Sequence, residues 1–514
     1  MLPLYDWLMH APWGVWIIDL IQTVLGWVWL HPSDHTLALL IGASIPVVVV
    51  FFLIQAVAGG STYIERKVAA DIQRRVGPNQ CNPSNFLGAV FAEAVARGQA
   101  AGASKGHQFF AKLAAPLVPV FKLLDAILGR IAPGLLIFLA DGIKLIMKED
   151  LVPSAADKPM FKLAPAIVLA SAFAALAALP YSDGFYVADF NIGVFYIAAI
   201  TSIEAIGILM AGWASNNKWA LLGGMRSAAQ IVSYEIPVGL ALLTGIILSG
   251  TMSMQGMIHQ QYGFEGVGWS QGWWWNWNVF ASPFMLLLFP VYYLAGLAEC
   301  NRTPFDIPEA ESELVAGYHT EYSGMRFAFF FMAEYAMMCV VSAIAVTIFL
   351  GGWSTGIGPL ENWMMVAKPG QLIPGTETVA AAPVFGWLGG LVHLVAFLVK
   401  TYLLVFVMMW IRWTLPRFRV DQMMTLCWKK LIPLSLACMT GASLWMLVRP
   451  WIVSQENPEA LGNLTALISM VLSLAIGGFL FWWFFLKKLS PDEQRERKLL
   501  VEANISAQGG KGFA

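Results

Sequence analysis

Between two strongly apolar segments, residues 299–326 read ECNRTPFDIPEAESELVAGYHTEYSGMR and gather Glu299, Asp306, Glu309, Glu311, Glu313 and Glu321. The chain as a whole is only 12% charged, so this density of acid is local. A charged side chain at the middle of a bilayer helix costs about 2.5–3.5 kcal/mol on insertion scales, and carboxylates beside membrane spans therefore need a reason. Two chemistries fit. Asp306 stands three residues ahead of Glu309 with Pro308 between them, the form of a capping box at a helix start, where carboxylates complement the helix dipole. Crowding offers the other chemistry, because neighbouring carboxylates near a membrane raise one another's pKa and become proton carriers. Glu309 and Glu313 would share a helical face, where like charges repel, and Glu299 and Glu321 lie outside a first turn. On charge physics alone, a solvated loop and a proton-handling site both stay open.

Four further ionisable residues sit inside or at the ends of apolar runs: Glu204 in TSIEAIGILMAGWASNN, Glu235 in QIVSYEIPVG, Glu334 in FFMAEYAMM and Lys400 in FLVKTYLL. At about 3 kcal/mol each, burying all of them costs on the order of 10 kcal/mol unless they pair or meet water. They should therefore face inward, and Lys400 fits a structural ion pair. His393 is a lone histidine within a span; a bis-His haem would need a second in reach.

The elements that must hold these groups are membrane helices. With 58% hydrophobic residues, a mean hydropathy of +0.65 and repeated long apolar runs, the chain reads as an all-α, polytopic membrane helix bundle, because hydrocarbon demands that every backbone group be satisfied within its segment. The expected spans are 37–59, 161–180, 193–213, 234–254, 279–298, 326–350, 391–410 and 432–448, with one extra span at 464–486. Residues 1–36 read as an interfacial extension, 37–450 as the main membrane domain, 451–486 as the extra helix and 487–514 as a charged tail. Loop charge alternates. The segments 61–79, 215–226 and 412–430 carry the Lys and Arg residues, whereas 181–192 and the Trp-rich 255–278 carry none, so the basic set and the tail belong in the cytoplasm. The net charge of -1 and the confinement of basic residues to loops give no nucleic-acid-binding pattern. Cys81, Cys300, Cys339, Cys427 and Cys438 are scattered without a C-x-x-C, so neither an iron–sulfur cluster nor a disulfide framework is expected here. No glycine fingerprint for a dinucleotide and no internal repeat of the transporter kind is visible.

The string ECNRTPFDIPEAESELVAGYHTEYSGMRFAFFFMAEY resembles the signature of the H-subunit family of respiratory complex I, the proton-translocating NADH:quinone oxidoreductase. The segment ERKVAADIQRRVGPN (65–79) resembles the family's ERK…QxRxGPN stretch, and RWTLPRFRVDQMMTLCWKK (412–430) its RxDQ…W-K loop. GLLIFLADGIKLIMKED (134–150) is similar to the family's G-L-L-Q-P…A-D…K motif, with Ile137 and Phe138 standing where Gln-Pro is usual. In the family that motif follows promptly on the GPN stretch, whereas here 83–133 intervenes, an insert with apolar faces and basic residues that reads as cytoplasmic amphipathic helices, with a transmembrane hairpin as the alternative. The resemblance implies eight family spans plus the extra one, in a multi-pass protein of a bacterial inner (plasma) membrane. It implies a quinone tunnel at the cytoplasmic ends of the helices, with Gln73, Arg75, Asp141, Lys144 and Arg302 at or supporting its rim. It also implies an acidic channel of Glu204, Glu235, Glu299, Asp306, Glu309, Glu311, Glu313 and Glu334 that couples quinone reduction to pumping. Flavin (FMN) and iron–sulfur clusters would reside in hydrophilic partner subunits, other membrane subunits would flank the chain in lipid, and no complete active site or metal is expected in this chain alone. Two other classes compete: a self-sufficient secondary transporter, and the related membrane subunit of a membrane-bound hydrogenase or formate-hydrogen lyase.

Overall fold

The computed structural model describes residues 59–79, 134, 137–182, 185–261, 273–308, 311–358, 360 and 386–452, with isolated positions at 471 and 475. The N-terminal extension, the first expected span apart from its last residue, the whole insert, the extra span apart from the two isolated positions, and the tail lie outside these residues. The described chain is almost wholly helical: α1 (59–72), α2 (Ile137–Met147), α3 (Lys158–Ala177), α4 (Gly193–Ala214), α5 (Lys218–Ser249), α6 (Pro283–Glu299), α7 (Gly324–Phe349), α8 (Gly386–Thr414), α9 (Val420–Leu426) and α10 (Ile432–Ile452), with a π turn at Cys427–Leu431 joining the last two. Among the described residues, six helical stretches are long and apolar enough to cross a membrane and α6 is a shorter apolar helix, so the chain is a multi-pass membrane helix bundle. The only sheet among the described residues is a minimal hairpin, Pro180–Ser182 paired antiparallel with Phe185–Tyr186.

Local sequence sets the helix ends. Asn217 accepts from the Trp219 amide at 2.9 Å to start α5, and Gly250, at φ 66°, ends it in the left-handed conformation that glycine adopts without strain. The expected loop at 215–226 thus shrinks to a few residues. α5 starts at Lys218 rather than near Tyr234 and is 32 residues long, about 48 Å at ~1.5 Å per residue. α9 and the π turn likewise convert much of the expected 412–430 loop into helix. Ser282 caps α6, with Pro283 in its first turn.

Prolines inside the helices liberate carbonyls that the tertiary structure then uses. Pro165 has no N–H for the Phe161 carbonyl, which accepts instead from the Tyr322 hydroxyl at 3.2 Å; Pro237 similarly frees the Ser233 carbonyl, which the Cys427 thiol meets at 3.1 Å. α7 is the central helix, buried along nearly its whole length from Tyr335 to Phe349 and packed on α3, α6 and α8. Around it, α5 packs on α4, α6 and α10. Gly212 and Gly224 let α4 and α5 approach closely, for a Cβ on Gly212 would stand 2.7 Å from the Ala220 carbonyl oxygen. The outer faces remain apolar, as Ile203, Ile206, Val232, Ile236, Leu243 and Ile247 show, which suits a hydrocarbon surround.

Candidate functional site

The site grows from the loop that follows α6. That helix ends at Glu299, after which Asn301 takes a left-handed φ of 51° and donates from Nδ2 to Ser227 Oγ at 3.1 Å. Gln230 of α5 clamps both ends of the loop, donating from Nε2 to the carbonyls of Ala298 (2.7 Å) and Phe305 (2.8 Å). The Thr303–Pro304 peptide is cis, and the Pro304 carbonyl accepts from the Phe418 amide at 3.0 Å. So fixed, the loop drives Arg302 inward to 2% exposure. Its Nη1 lies 3.3 Å from both carboxylate oxygens of Glu65 on α1, and its Nε pairs with Glu334 on α7. Its guanidinium carbon stands 4.3 Å from the ring centre of Tyr335. Arg412 at the end of α8 also pairs with Glu65, and the Tyr335 hydroxyl donates to Glu65 Oε2 at 2.6 Å. Burial works against the charge of Arg302, but Glu334 and Glu65 more than offset it and hold the guanidinium protonated well beyond its ordinary range. Among the described residues the set brings together two carboxylates and two guanidiniums, so each buried ion meets an opposite charge, as low-dielectric burial of ions requires.

A second acidic set adjoins it. Glu204 on α4 and Glu299 on α6 are both buried, and Glu235 on α5 receives the Ser202 hydroxyl. Glu204 feels the charge of Glu299, and Glu299 that of Glu235. Cys300 lies within range of the charges on Glu299, Glu204, Glu334 and Arg302, so the two sets meet around the end of α6. Asp306 departs from the capping-box expectation: no helix starts there, and its carboxylate instead accepts from Arg417 at 2.9 Å, with Thr303 at 3.5 Å. The short helix nearby is Glu311–Leu314, so Glu313 shares no described helical face with position 309. Glu313 is half exposed and pairs with Arg226 at 2.7 Å. Glu309 and the side chain of Glu311 lie outside the described residues.

Beside the ion network, α1, α2 and α7 line an open cavity of about 1550 Å³. Gln73, Arg75, Asp141 and Lys144 all line it, together with Glu65 and Tyr335. Arg66 and Asp141 pair across it at 2.6 Å. Arg302 is not in the wall; it stands behind Glu65 and Tyr335, touching both. Ile137 and Phe138 also line the cavity, and the Phe138 ring rests on Gly59, where a Cβ would come within 2.7 Å of it. Sequence reasoning passed over Glu65, Tyr335 and Arg412. The one signal for Glu65 is an acid opening a run of bases at the end of an apolar helix, a pattern that a surface anchor shares.

Lys400 serves structure at the opposite, Trp-rich end of the bundle, through backbone carbonyls of Leu350, Gly352 and Ser354. The buried His393 lies on α8 about two turns before Lys400.

A family model described as NADH dehydrogenase matches residues 117–442, beginning inside the segment read as an insert. The NADH-quinone oxidoreductase H subunit of Anaeromyxobacter dehalogenans is 47% identical over 319 residues, covering 62% of this chain and 72% of the relative. The H subunit of Chlorobaculum tepidum is 49% identical over 318 residues, 61% of this chain and 80% of the relative. The H subunit of Solibacter usitatus that bears the number 2 is 36% identical over 440 residues, 78% of this chain and 96% of its own. With the helical membrane bundle, the acidic loop and matches of this extent, the chain belongs to the NADH dehydrogenase family of membrane proteins that includes the H subunit of NADH-quinone oxidoreductase.

Proposed function

We propose that this chain forms the quinone-access cavity of a proton-translocating NADH:quinone oxidoreductase and carries the charge change of quinone reduction into an acidic channel. The observation that carries this reading is that Glu65 and Tyr335 belong at once to the cavity wall and to the ion network of Arg302 and Glu334. A cavity of about 1550 Å³ exceeds the usual range of small-ligand pockets, roughly 300–1,000 Å³, and suits a headgroup together with part of an isoprenoid tail. Gln73, Arg75, Asp141 and Lys144 supply polar contacts at the rim, and the apolar side chains of α2 face the tail. Partner subunits bearing flavin and iron–sulfur clusters deliver the electrons, so this chain holds no complete active site alone.

Reduction of a quinone takes up two electrons and two protons. Electrons that arrive ahead of the protons leave the headgroup transiently negative; that charge alters the field at Glu65 until the protons are taken up, and Arg302, fixed as a cation between Glu65 and Glu334, shifts its attraction between the two. Glu334, Glu299, Glu204 and Glu235 then respond in turn, passing the disturbance towards neighbouring membrane subunits of the antiporter kind. The basic end of the bundle faces the cytoplasm, because Arg66, Lys67, Arg226, Arg417, Lys429 and Lys430 gather there, which fits a bacterial inner membrane.

A photoreactive quinone analogue offered to the membrane-embedded complex should label α1 or α2, with labelling competed by native quinone. Labelling confined to other subunits would sink the reading. The hydrogenase or formate-hydrogen lyase alternative keeps the acids but needs no quinone cavity; co-purification of the chain with a flavin-bearing NADH module decides between them.

A further inference from the structure

We propose that Ser202 is the positioning residue for Glu235, a hydroxyl that donates to the ionised carboxylate and accepts from the protonated carboxyl, holding that group in one place through both states. The inference rests on the reading of Glu235 as a proton carrier. Glu235 on α5 and Ser202 on α4 are both half-buried, at the seam of two helices whose outer faces carry Ile203, Ile206, Val232 and Ile236. Among the described residues the one hydrogen bond of the Glu235 carboxylate is with the Ser202 hydroxyl, and no ion pair reaches it.

Ser202 Oγ also lies 2.9 Å from the carbonyl oxygen of Ala198, one turn back along α4. A hydroxyl has one proton and two lone pairs, so the carboxylate and the carbonyl compete for that proton. An ionised acceptor wins, because a charge-assisted hydrogen bond is about twice as strong as a neutral one. Ala198 is not left bare by this, for the Thr201 hydroxyl donates to the same carbonyl at 3.1 Å. When Glu235 takes up a proton the order reverses: the carboxyl O–H donates to Ser202 Oγ, and the serine hydroxyl turns about its Cβ–Oγ bond to Ala198. No heavy atom needs to move, and the two side chains stay bonded in either state.

Other buried acids are held differently. Glu65 meets Arg302 and Arg412, and Glu334 meets Arg302; a cation partner favours the ionised form alone. A neutral hydroxyl bonds to both forms, so gaining or losing a proton does not break the contact. Of the helices packed on α5, α4 brings Glu204, α6 Glu299 and α7 Glu334, and Glu299 feels the charge of Glu235. Residues 432–448 of α10 contain no charged side chain, and Lys429 and Lys430 of the π turn are exposed. Glu313 on the short helix beside α5 pairs with Arg226, and His319 packs among the rings of Phe330 and Phe331. Repulsion from the neighbouring acids, when ionised, drives an untethered carboxylate towards the outer face, and the bond to Ser202 opposes it. A serine that only bonded back to its own helix would leave the Glu235 carboxyl unchanged when removed.

The test uses the whole complex in proteoliposomes. In its redox-induced infrared difference spectrum, the protonated-carboxyl band that Glu235→Gln abolishes identifies Glu235. Ser202→Ala is expected to move that band to higher frequency and to slow coupled proton pumping by about tenfold, the weight of one hydrogen bond to a charged group. Ser202→Thr keeps the hydroxyl and should keep both band and rate. Thr201→Val, which removes only the other bond to Ala198, should match the wild type. An unmoved band in Ser202→Ala overturns the proposal, and so does an equal loss in Thr201→Val, which would make the part of the serine one of helix packing. If Ser202→Ala does not assemble, Ser202→Cys replaces it, its thiol being a weak donor; the same band shift is expected, and an unmoved band overturns the proposal. Normal coupled pumping in Glu235→Gln would instead remove the underlying reading of the acid, whatever Ser202→Ala does.

Discussion

Arg302 reaches Glu65 across 237 positions of sequence, its Nη1 standing 3.3 Å from both carboxylate oxygens. One contact thereby ties the acidic loop after α6 to the helix that walls the cavity. Because Arg302 also pairs with Glu334, and Glu65 with Arg412, a change of charge or position at Glu65 disturbs both guanidiniums, and one at Glu334 reaches Glu65 through Arg302.

Glu65→Ala should be among the most damaging single changes in the chain. It strips a counter-charge from the fully buried Arg302 and from Arg412, and breaking a buried pair on one side costs about 3–5 kcal/mol. The thermal midpoint of the purified complex is expected to fall markedly. Adding Arg302→Met to Glu65→Ala should cost less than the sum of the two single changes. Strict additivity would show that the two residues do not act as a pair.

Glu235→Gln and Glu313→Gln should separate cleanly. Gln at 235 keeps shape and the Ser202 contact but removes a carboxyl group beside the buried acids, so assembly should persist while quinone-coupled NADH oxidation falls. Glu313 is half exposed in a surface pair with Arg226, worth about 0–1 kcal/mol, and its loss should leave coupled activity within about twofold of wild type. Equal losses in both variants would give the surface acid a role that its geometry does not support.

Packing around the acids should be as unforgiving as their charge. A Cβ on Gly296, one turn before Cys300, would run into the Val341 side chain on α7, so Gly296→Leu is expected to destabilise the complex by about 1–3 kcal/mol. Val341→Ala in the same chain should recover part of that loss, measured as the thermal midpoint. No recovery would mean that the crossing of α6 and α7 is not what Gly296 protects.

Hydropathy and the rarity of charge in apolar runs made much of this legible in the sequence. The long apolar runs give the bundle, and the cost of burying Glu204, Glu299 and Glu334 says that they point inward, where they are found. What hydropathy does not report is the tertiary partner. Glu65 reads as one charge in a basic surface run because nothing local distinguishes a carboxylate that meets solvent from one that meets Arg302 and Arg412. Asp306 misleads in the opposite way: its spacing to Pro308 and Glu309 mimics a helix start, but Arg417 on a distant segment outcompetes local capping. The start of α5 was hidden because Lys218 and Arg226 lower the hydropathy of a helix that continues past the membrane surface.

The segment between the cavity motif and α2 can be tested by removal, and the geometry says how. Gly134, with φ of 88°, lies against Pro78 and Asn79; a Cβ built on it would be 3.2 Å from the Asn79 amide nitrogen, so the chain returns to where it left. Closing such a gap costs little, since loop entropy grows only as the logarithm of length, and a short linker should leave α1 and α2 in place. Pro78 and Asn79 are also cavity-lining residues, so the segment departs from the rim itself. Its basic residues, Arg97, Lys105, Lys112, Lys122 and Arg130, and its apolar faces suit a partner subunit or the membrane surface more than a quinone. Replacing residues 86–132 with a Gly/Ser linker should therefore weaken subunit association, read as loss of intact complex on native gels, while the complexes that survive keep a near-normal quinone KM. Full assembly with a greatly raised quinone KM would show that the segment shapes the cavity and that its role lies in the site.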